Sequence, residues 1–234
     1  MTLQQMVEDS HRIVFFGGAG VSTESGIPDF RSSDGLYRQA YRYPPEEVVS
    51  HGFFMQHTAD FYEFYKDKML CLDAKPNAAH KALAALEQAG RLSAVITQNI
   101  DGLHQAAGSR NVLELHGSIH RNYCMDCGAF YDGAFVKQAA GVPHCSCGGL
   151  IKPDVVLYGE NLNSGVINRA IAAIDLILDN IKFDISFTDL FFVPVFNIIL
   201  SNSSLDIFSF PYFFIFFLGL SDFGMFFINV LFIL

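Results

Sequence analysis

Four of the five cysteines fall into two close pairs. Cys124-Met125-Asp126-Cys127 stands 17 residues before Cys145-Ser146-Cys147. Paired thiols at that separation suit a tetrahedral thiolate zinc site, and Gly128 and Gly148-Gly149 supply sharp turns. Cys145-x-Cys147 is tighter than the usual Cys-x-x-Cys, which leaves His144 as an alternative ligand for one sulfur. Four sulfurs close the coordination sphere, so such a metal staples a subdomain and leaves the reaction to other residues. Cys71 is left over and reads as a small buried hydrophobe.

A second group lies near the N-terminus. Gly17-Gly18-Ala19-Gly20-Val21-Ser22-Thr23-Glu24-Ser25-Gly26 follows the apolar run Ile13-Val14-Phe15-Phe16. Small side chains let a backbone approach a diphosphate, and a helix after the loop would aim its N–H groups at the anion. The dinucleotide fingerprint G-x-G-x-x-G fails, because Thr23 stands where the third Gly belongs. Alone, the loop is equally a tight strand–helix turn. Ile27-Pro28-Asp29-Phe30-Arg31 follows, with a ring and a cation able to cover a ligand.

Those residues need elements to position them. Ile13–Phe16, Leu92–Thr97 and 111–115 are short apolar runs that predict buried strands, and Val155–Tyr158 predicts another. Helices are expected over Thr2–Ser10, Pro45–Tyr65, Lys75–Ala89 and Ser164–Ile174. Strands alternating with helices predict a parallel sheet with helices on both faces. Ligands in such sheets bind at the carboxyl ends of the strands. The polar clusters 17–31, 97–104 and 116–121 each follow an expected strand, so they converge on one site.

The net charge of −9 argues against a general nucleic-acid binder. Five cysteines in 234 residues do not make a disulfide scaffold, and no basic stretch followed by an apolar one opens the chain. A cytoplasmic location is the expectation. The composition breaks near residue 180: 15 of the 24 Phe lie in 181–234, with Lys182 the one base there. The apolar runs Ile207–Leu220 and Phe223–Leu234 are each too short for a spanning helix. Three readings compete for this tail: a membrane anchor, a buried core, or a low-complexity segment such as out-of-frame translation.

Five segments then come in one order around the cysteine pairs: Gly18-Ala19-Gly20-Val21-Ser22, Gly26-Ile27-Pro28-Asp29-Phe30-Arg31, Thr97-Gln98-Asn99-Ile100-Asp101-Gly102-Leu103-His104, Leu115-His116-Gly117 and Lys152-Pro153-Asp154-Val155-Val156. Over roughly residues 1–175 the chain resembles the sirtuins, the NAD-dependent protein lysine deacylases. The resemblance implies a Rossmann-like NAD-binding domain from 1–34, 76–118 and 152–180. A small domain would combine a helical module, 35–75, with a zinc ribbon, 119–151, held by Cys124, Cys127, Cys145 and Cys147. It implies that Gly18, Ala19, Gly20 and Thr23 hold the NAD diphosphate with Arg31 nearby, and that Phe30 shields the nicotinamide end. Gln98 and Asn99 would sit by the nicotinamide ribose, with Asn99 part of the catalytic set. Asp101 and the Ile100 backbone would take the carboxamide. His116 would be the general base, and Val155–Glu160 an edge for an acylated lysine peptide.

The resemblance also sets expectations where the chain departs from the family. Sirtuins usually carry Thr where Gly17 stands. After Ala173-Ile174-Asp175-Leu176-Ile177-Leu178 the family continues a strand into a Gly-Thr-Ser-Leu turn and the motifs for the adenosine half of NAD; none follows here. The C-terminal part of the sheet should be missing or replaced, the tail weakly packed, NAD binding feeble and turnover impaired. Acetyl is the expected acyl group, released as O-acyl-ADP-ribose with free nicotinamide. Protein ADP-ribosyl transfer and a non-catalytic zinc-ribbon or NAD-binding module are the alternatives. Membrane association could come only through 207–234, and oligomeric state is left open.

Overall fold

The computed structural model describes residues 3–10, 12–29, 42–184 and 230–233. Phe30, Arg31 and the tail segment 185–229 lie outside them. Helix α1 (Leu3–Asp9) leads into β1 (Ile13–Gly17). Strands β1, β2 (Leu92–Thr97) and β3 (Val112–Glu114) pair in parallel, in the spatial order β3-β2-β1. The period-2 pattern of these strands sends side chains to both faces. Ile13, Phe15 and Val95 pack with Val21 and with Leu83 of a helix on one side. Val14, Ala94, Ile96 and Leu113 pack with Ala170 of another helix on the opposite side. Each fully buried aliphatic chain here contributes roughly 1.5–3 kcal/mol. This is the expected Rossmann-like α/β layer structure.

A second, antiparallel sheet holds β4 (Gly117–Cys124) between β5 (Phe130–Tyr131) and β6 (Ile151–Val155). Pro153 lacks an N–H, and β6 is an edge strand, where that lack costs no ladder bond. The expected strand Val155–Tyr158 is therefore displaced: the strand ends at Val155, and Tyr158 makes only an isolated bridge to Ser50.

The helix expected over Pro45–Tyr65 is broken into α2 (Pro45–Val48), α3 (His51–Gln56) and α4 (Thr58–Phe64), followed by a π turn, Tyr65–Met69. Ser50 causes the first break, because its hydroxyl accepts the Phe53 N–H and restarts the helix there. These helices and the small sheet share one aromatic core. Phe54, Phe61, Tyr62 and Tyr65 pack with Ile119, Val136 and Ile151, and Cys124 and Cys145 belong to the same cluster. The Tyr62 hydroxyl donates to the Ile151 carbonyl.

Helix α5 (Ala78–Gln88) opens with a capping box built by Asn77 and His80. The short helices α6 (Leu103–Ala107) and α7 (Gly133–Gln138) follow β2 and β5. Helix α8 runs from Ser164 to Asp184. The resemblance puts a strand at 173–178, yet the helix continues, since no Gly or Pro interrupts 166–184 and Ala, Ile and Leu dominate it. The edge of β1 is not left bare. Val230–Ile233, β7, pairs with it antiparallel, Ile13 opposite Ile233 and Phe16 opposite Val230. Val, Leu, Phe and Ile are strand formers, and an unpaired edge is a template for them. Among the described residues no helix is long and apolar enough to cross a membrane.

Candidate active site and thiolate centre

The loops after β1, β2 and β3 meet at the carboxyl ends of the parallel strands, where such sheets bind ligands. The Gln98 N–H donates to the Gly17 carbonyl at 2.9 Å, which joins the first two loops. The helix expected after the glycine loop is a seven-residue 3-10 helix, Ala19–Ser25. Its small residues Gly18, Ala19 and Gly20 keep the backbone approachable. Thr23 is exposed beside them, with its hydroxyl on the Gly20 carbonyl at 3.0 Å.

Three polar side chains interlock beneath this loop. Asn99 Nδ2 donates to Ser22 Oγ at 3.0 Å, and Ser22 Oγ donates to Asp101 Oδ2 at 2.6 Å. The other carboxylate oxygen, Oδ1, accepts the Leu103 N–H at 2.9 Å at the start of α6. The Asn99 N–H donates to Thr97 Oγ1 at 3.0 Å. Ser22, Thr97, Asn99 and Asp101 are all buried. A buried polar network is stable only when its members are satisfied, and these bonds satisfy it. Each carboxylate oxygen can accept a second hydrogen bond, so Asp101 keeps capacity for a ligand amide. The Ile100 carbonyl accepts the Ile119 N–H at 2.9 Å.

His116 sits on the turn from β3 to β4. Its Nδ1 lies 3.0 Å from the Gln98 carbonyl. A carbonyl only accepts, so Nδ1 carries the proton and Nε2 keeps a lone pair. Burial pushes the imidazole below its ordinary value, and the bond to Gln98 pulls it partly back. Gly117 is required beside it: φ is +77°, and a Cβ would stand 1.8 Å from the Asp154 carbonyl oxygen. Thus Ser22, Asn99 and Asp101 are directly bonded, and His116 joins them through the Gln98 backbone. Ser22 and Thr97 stand in segments that carry the resemblance but received no role from the sequence, because a lone hydroxyl carries no spacing signal. His120 received none either; its Nε2 lies 2.9 Å from the Asp101 carbonyl, and its ring covers Gly102.

Two further histidines lie behind the network. His80 and His104 are buried, with ring centroids 4.7 Å apart. Among the described residues neither ring nitrogen of His104 has a hydrogen-bond partner. Burial and the neighbouring His80 push His104 from 6.5 to about 4, against the pull of Asp101. A folded-state value below the unfolded one gives stability that is whole above about pH 6.5 and lost as pH falls toward 4. The loss from His104 alone should be on the order of 3 kcal/mol. Chemical denaturation at a series of pH values should show it, together with a His104 ring titration midpoint near 4 by NMR. A His104 that titrates at an ordinary imidazole value would contradict this.

The four cysteines converge as expected. Their sulfurs lie within 4.8 Å of one another. Cys124 and Cys147 are 3.5 Å apart, as are Cys127 and Cys145, and Cys127 and Cys147. A tetrahedron with Zn–S bonds of ~2.3 Å has edges of about 3.8 Å, so the tetrad fits zinc. A Cβ on Gly149 would meet Cys124 Sγ at 2.7 Å, which explains the glycine. His144 is not part of the cluster; its Nδ1 faces the Gly148 carbonyl at 3.3 Å. Cys71 is half-buried, and burial pushes its thiol up.

Residues 18–179 match the Sir2 family. A Clostridium acetobutylicum protein described as an NAD-dependent protein deacetylase is 60% identical over 176 residues, covering 74% of this chain and 72% of the relative. A Clostridium perfringens protein of the same description is 57% identical over 175 residues, covering 74% and 72%. Among solved structures, a Sir2–p53 peptide–NAD+ complex matches with a TM-score of 0.63 at 42% identity, over 74% of this chain and 71% of that one. A Sir2 protein bound to a propionylated peptide matches with a TM-score of 0.63 at 40% identity, over 74% and 71%.

Proposed function

The chain belongs to the Sir2 family and is an NAD-dependent protein deacetylase, and from that premise we propose how its own residues divide the work. NAD supplies the electrophile, an anomeric carbon that takes the acyl oxygen as nicotinamide leaves. The backbone of Gly18, Ala19 and Gly20, with Thr23, holds the diphosphate. Asn99 and Gln98 orient the nicotinamide ribose, and Asp101 with the Ile100 backbone takes the carboxamide. His116 accepts a ribose hydroxyl proton at Nε2, the nitrogen left bare by the Gln98 contact. The zinc tetrad holds the small sheet and has no open position for chemistry.

An acylated lysine peptide would lie along 155–160 as an added strand. The N–H groups of Val156, Leu157 and Tyr158 already donate to His116, Glu160 and Val49. The peptide would therefore have to donate to carbonyls there. The half-buried free thiol of Cys71 and the thiolate tetrad favour a reducing, cytoplasmic location.

The observation that carries the assignment of roles is the Ser22–Asn99–Asp101 network beside a His116 whose Nδ1 is fixed. Asp101→Asn tests it, since it replaces one accepting oxygen by an amide NH2 that only donates, so either the Ser22 hydroxyl or the Leu103 N–H loses its acceptor. The expected outcome is a fall of roughly 100-fold in kcat/KM for NAD, about 2.7 kcal/mol, with peptide binding and circular dichroism unchanged. A rate within twofold of the parent would remove Asp101 from the nicotinamide site.

A further inference from the structure

The turn that carries His116 is also the crossing between the two sheets. It leaves β3 at Glu114, in the large sheet, and enters β4 at Gly117, in the small one. Two backbone contacts hold it. The Leu115 N–H donates to the Thr97 carbonyl at 2.9 Å, and the His116 carbonyl accepts the Val156 N–H at 3.0 Å. Neither reaches across both sheets at once.

Arg121 does. Its Nη1 donates to Glu114 Oε2 at 2.7 Å, and its Nε donates to Asp154 Oδ2 at 2.7 Å. Glu114 is the last residue of β3, and Asp154 lies on β6. One planar guanidinium thus spans the parallel sheet, the β4 strand and the edge strand β6. The same Asp154 presses its carbonyl against Gly117, so the carboxylate arm and the backbone contact brace the turn together. The Glu114 side chain is only 8% exposed, which removes much of the water that would otherwise screen its bond to Arg121. A rigid fork with two short charge-assisted bonds sets a distance that a single flexible ammonium cannot.

We propose that Arg121 is a positioning residue for the general base: it locks the His116 turn between the sheets and so keeps Nδ1 on the Gln98 carbonyl. The inference rests on the reading of His116 as the base. The roles proposed above for NAD and peptide do not involve Arg121. Its effect runs through Glu114 and Asp154 alone.

The test uses Arg121→Gln, Arg121→Lys and Asp154→Asn in the full chain. Deacylation kinetics and the NMR titration of the His116 ring are both read. Arg121→Gln should lower kcat roughly tenfold while KM for NAD and for peptide stays within twofold, because alignment is lost and binding is not. The His116 midpoint should rise toward the ordinary imidazole value as the loosened turn admits water. Arg121→Lys should recover part of both changes, since an ammonium can serve one carboxylate at a time. Asp154→Asn keeps the cation on Glu114 and should shift both readouts less, in the same direction. Parent kcat and an unmoved His116 titration in Arg121→Gln would overturn the proposal, even with a lower melting temperature. Should His116→Ala keep its turnover, the base assignment fails, yet the ring titration still reports whether Arg121 holds the turn.

Discussion

His116→Ala should cost between about 100-fold and 10,000-fold in NAD-dependent deacylation, the range a positioned general base supplies. That corresponds to about 2.7–5.4 kcal/mol on the barrier. The fold should survive, because the hydrogen bond lost is one side-chain contact to the Gln98 carbonyl and the turn keeps its backbone bonds. The pH profile gives the sign independently. A base works only when deprotonated, so the rate should fall as pH drops through the His116 value, and burial sets that value below the ordinary imidazole one. The acid limb of kcat/KM should therefore lie below about pH 6.5. Turnover within threefold of the parent in His116→Ala, with the acid limb unmoved, would assign the proton to another group.

Removing the metal should do more than loosen a surface ribbon. Cys124 and Cys145 lie in the same core as Phe54, Phe61, Tyr62 and Ile151. Structural zinc in small domains contributes about 10–16 kcal/mol of apparent binding energy, comparable with the whole stability of a typical domain. Chelation, or Cys124→Ala, should expose the aromatic cluster and abolish peptide turnover. The checks are one zinc per chain by metal analysis, a rise in dye binding on chelation, and loss of the near-ultraviolet tyrosine signal. A metal-free chain with an unchanged melting curve and four freely reactive thiols would contradict the assignment.

The two features read most directly from the residues are those whose chemistry dictates spacing. Cys124, Cys127, Cys145 and Cys147 must converge to bind one ion, and they do. Apolar runs bounded by Gly or polar clusters had to be buried strands, and β1, β2 and β3 formed where those runs stand. Misses came where tertiary contacts outweigh local pattern. β4 reads as a polar, unpatterned stretch, Gly117–Cys124, because its register shifts between Ser118 and Asn122. The break at Ser50 depends on a single hydroxyl accepting one N–H, which a helical period over 45–65 does not reveal. Ser22 is a participant in the site only because the chain brings it to Asp101, 79 residues away. Arg121 likewise shows its role only when β3, β4 and β6 are side by side.

The central claim is that the cleft at the strand ends couples loss of a lysine acyl group to cleavage of NAD. It is tested most directly by incubating the purified chain with an acetyl-lysine peptide and NAD in large excess. Nicotinamide, deacetylated peptide and O-acetyl-ADP-ribose are then quantified in one sample by mass spectrometry. One nicotinamide and one O-acetyl-ADP-ribose are expected for every acetyl group lost, with no product without NAD, and at least about 100-fold less in the same time with His116→Ala. Deacetylated peptide without nicotinamide, or nicotinamide release with ADP-ribose left on protein and the acetyl group in place, would contradict it.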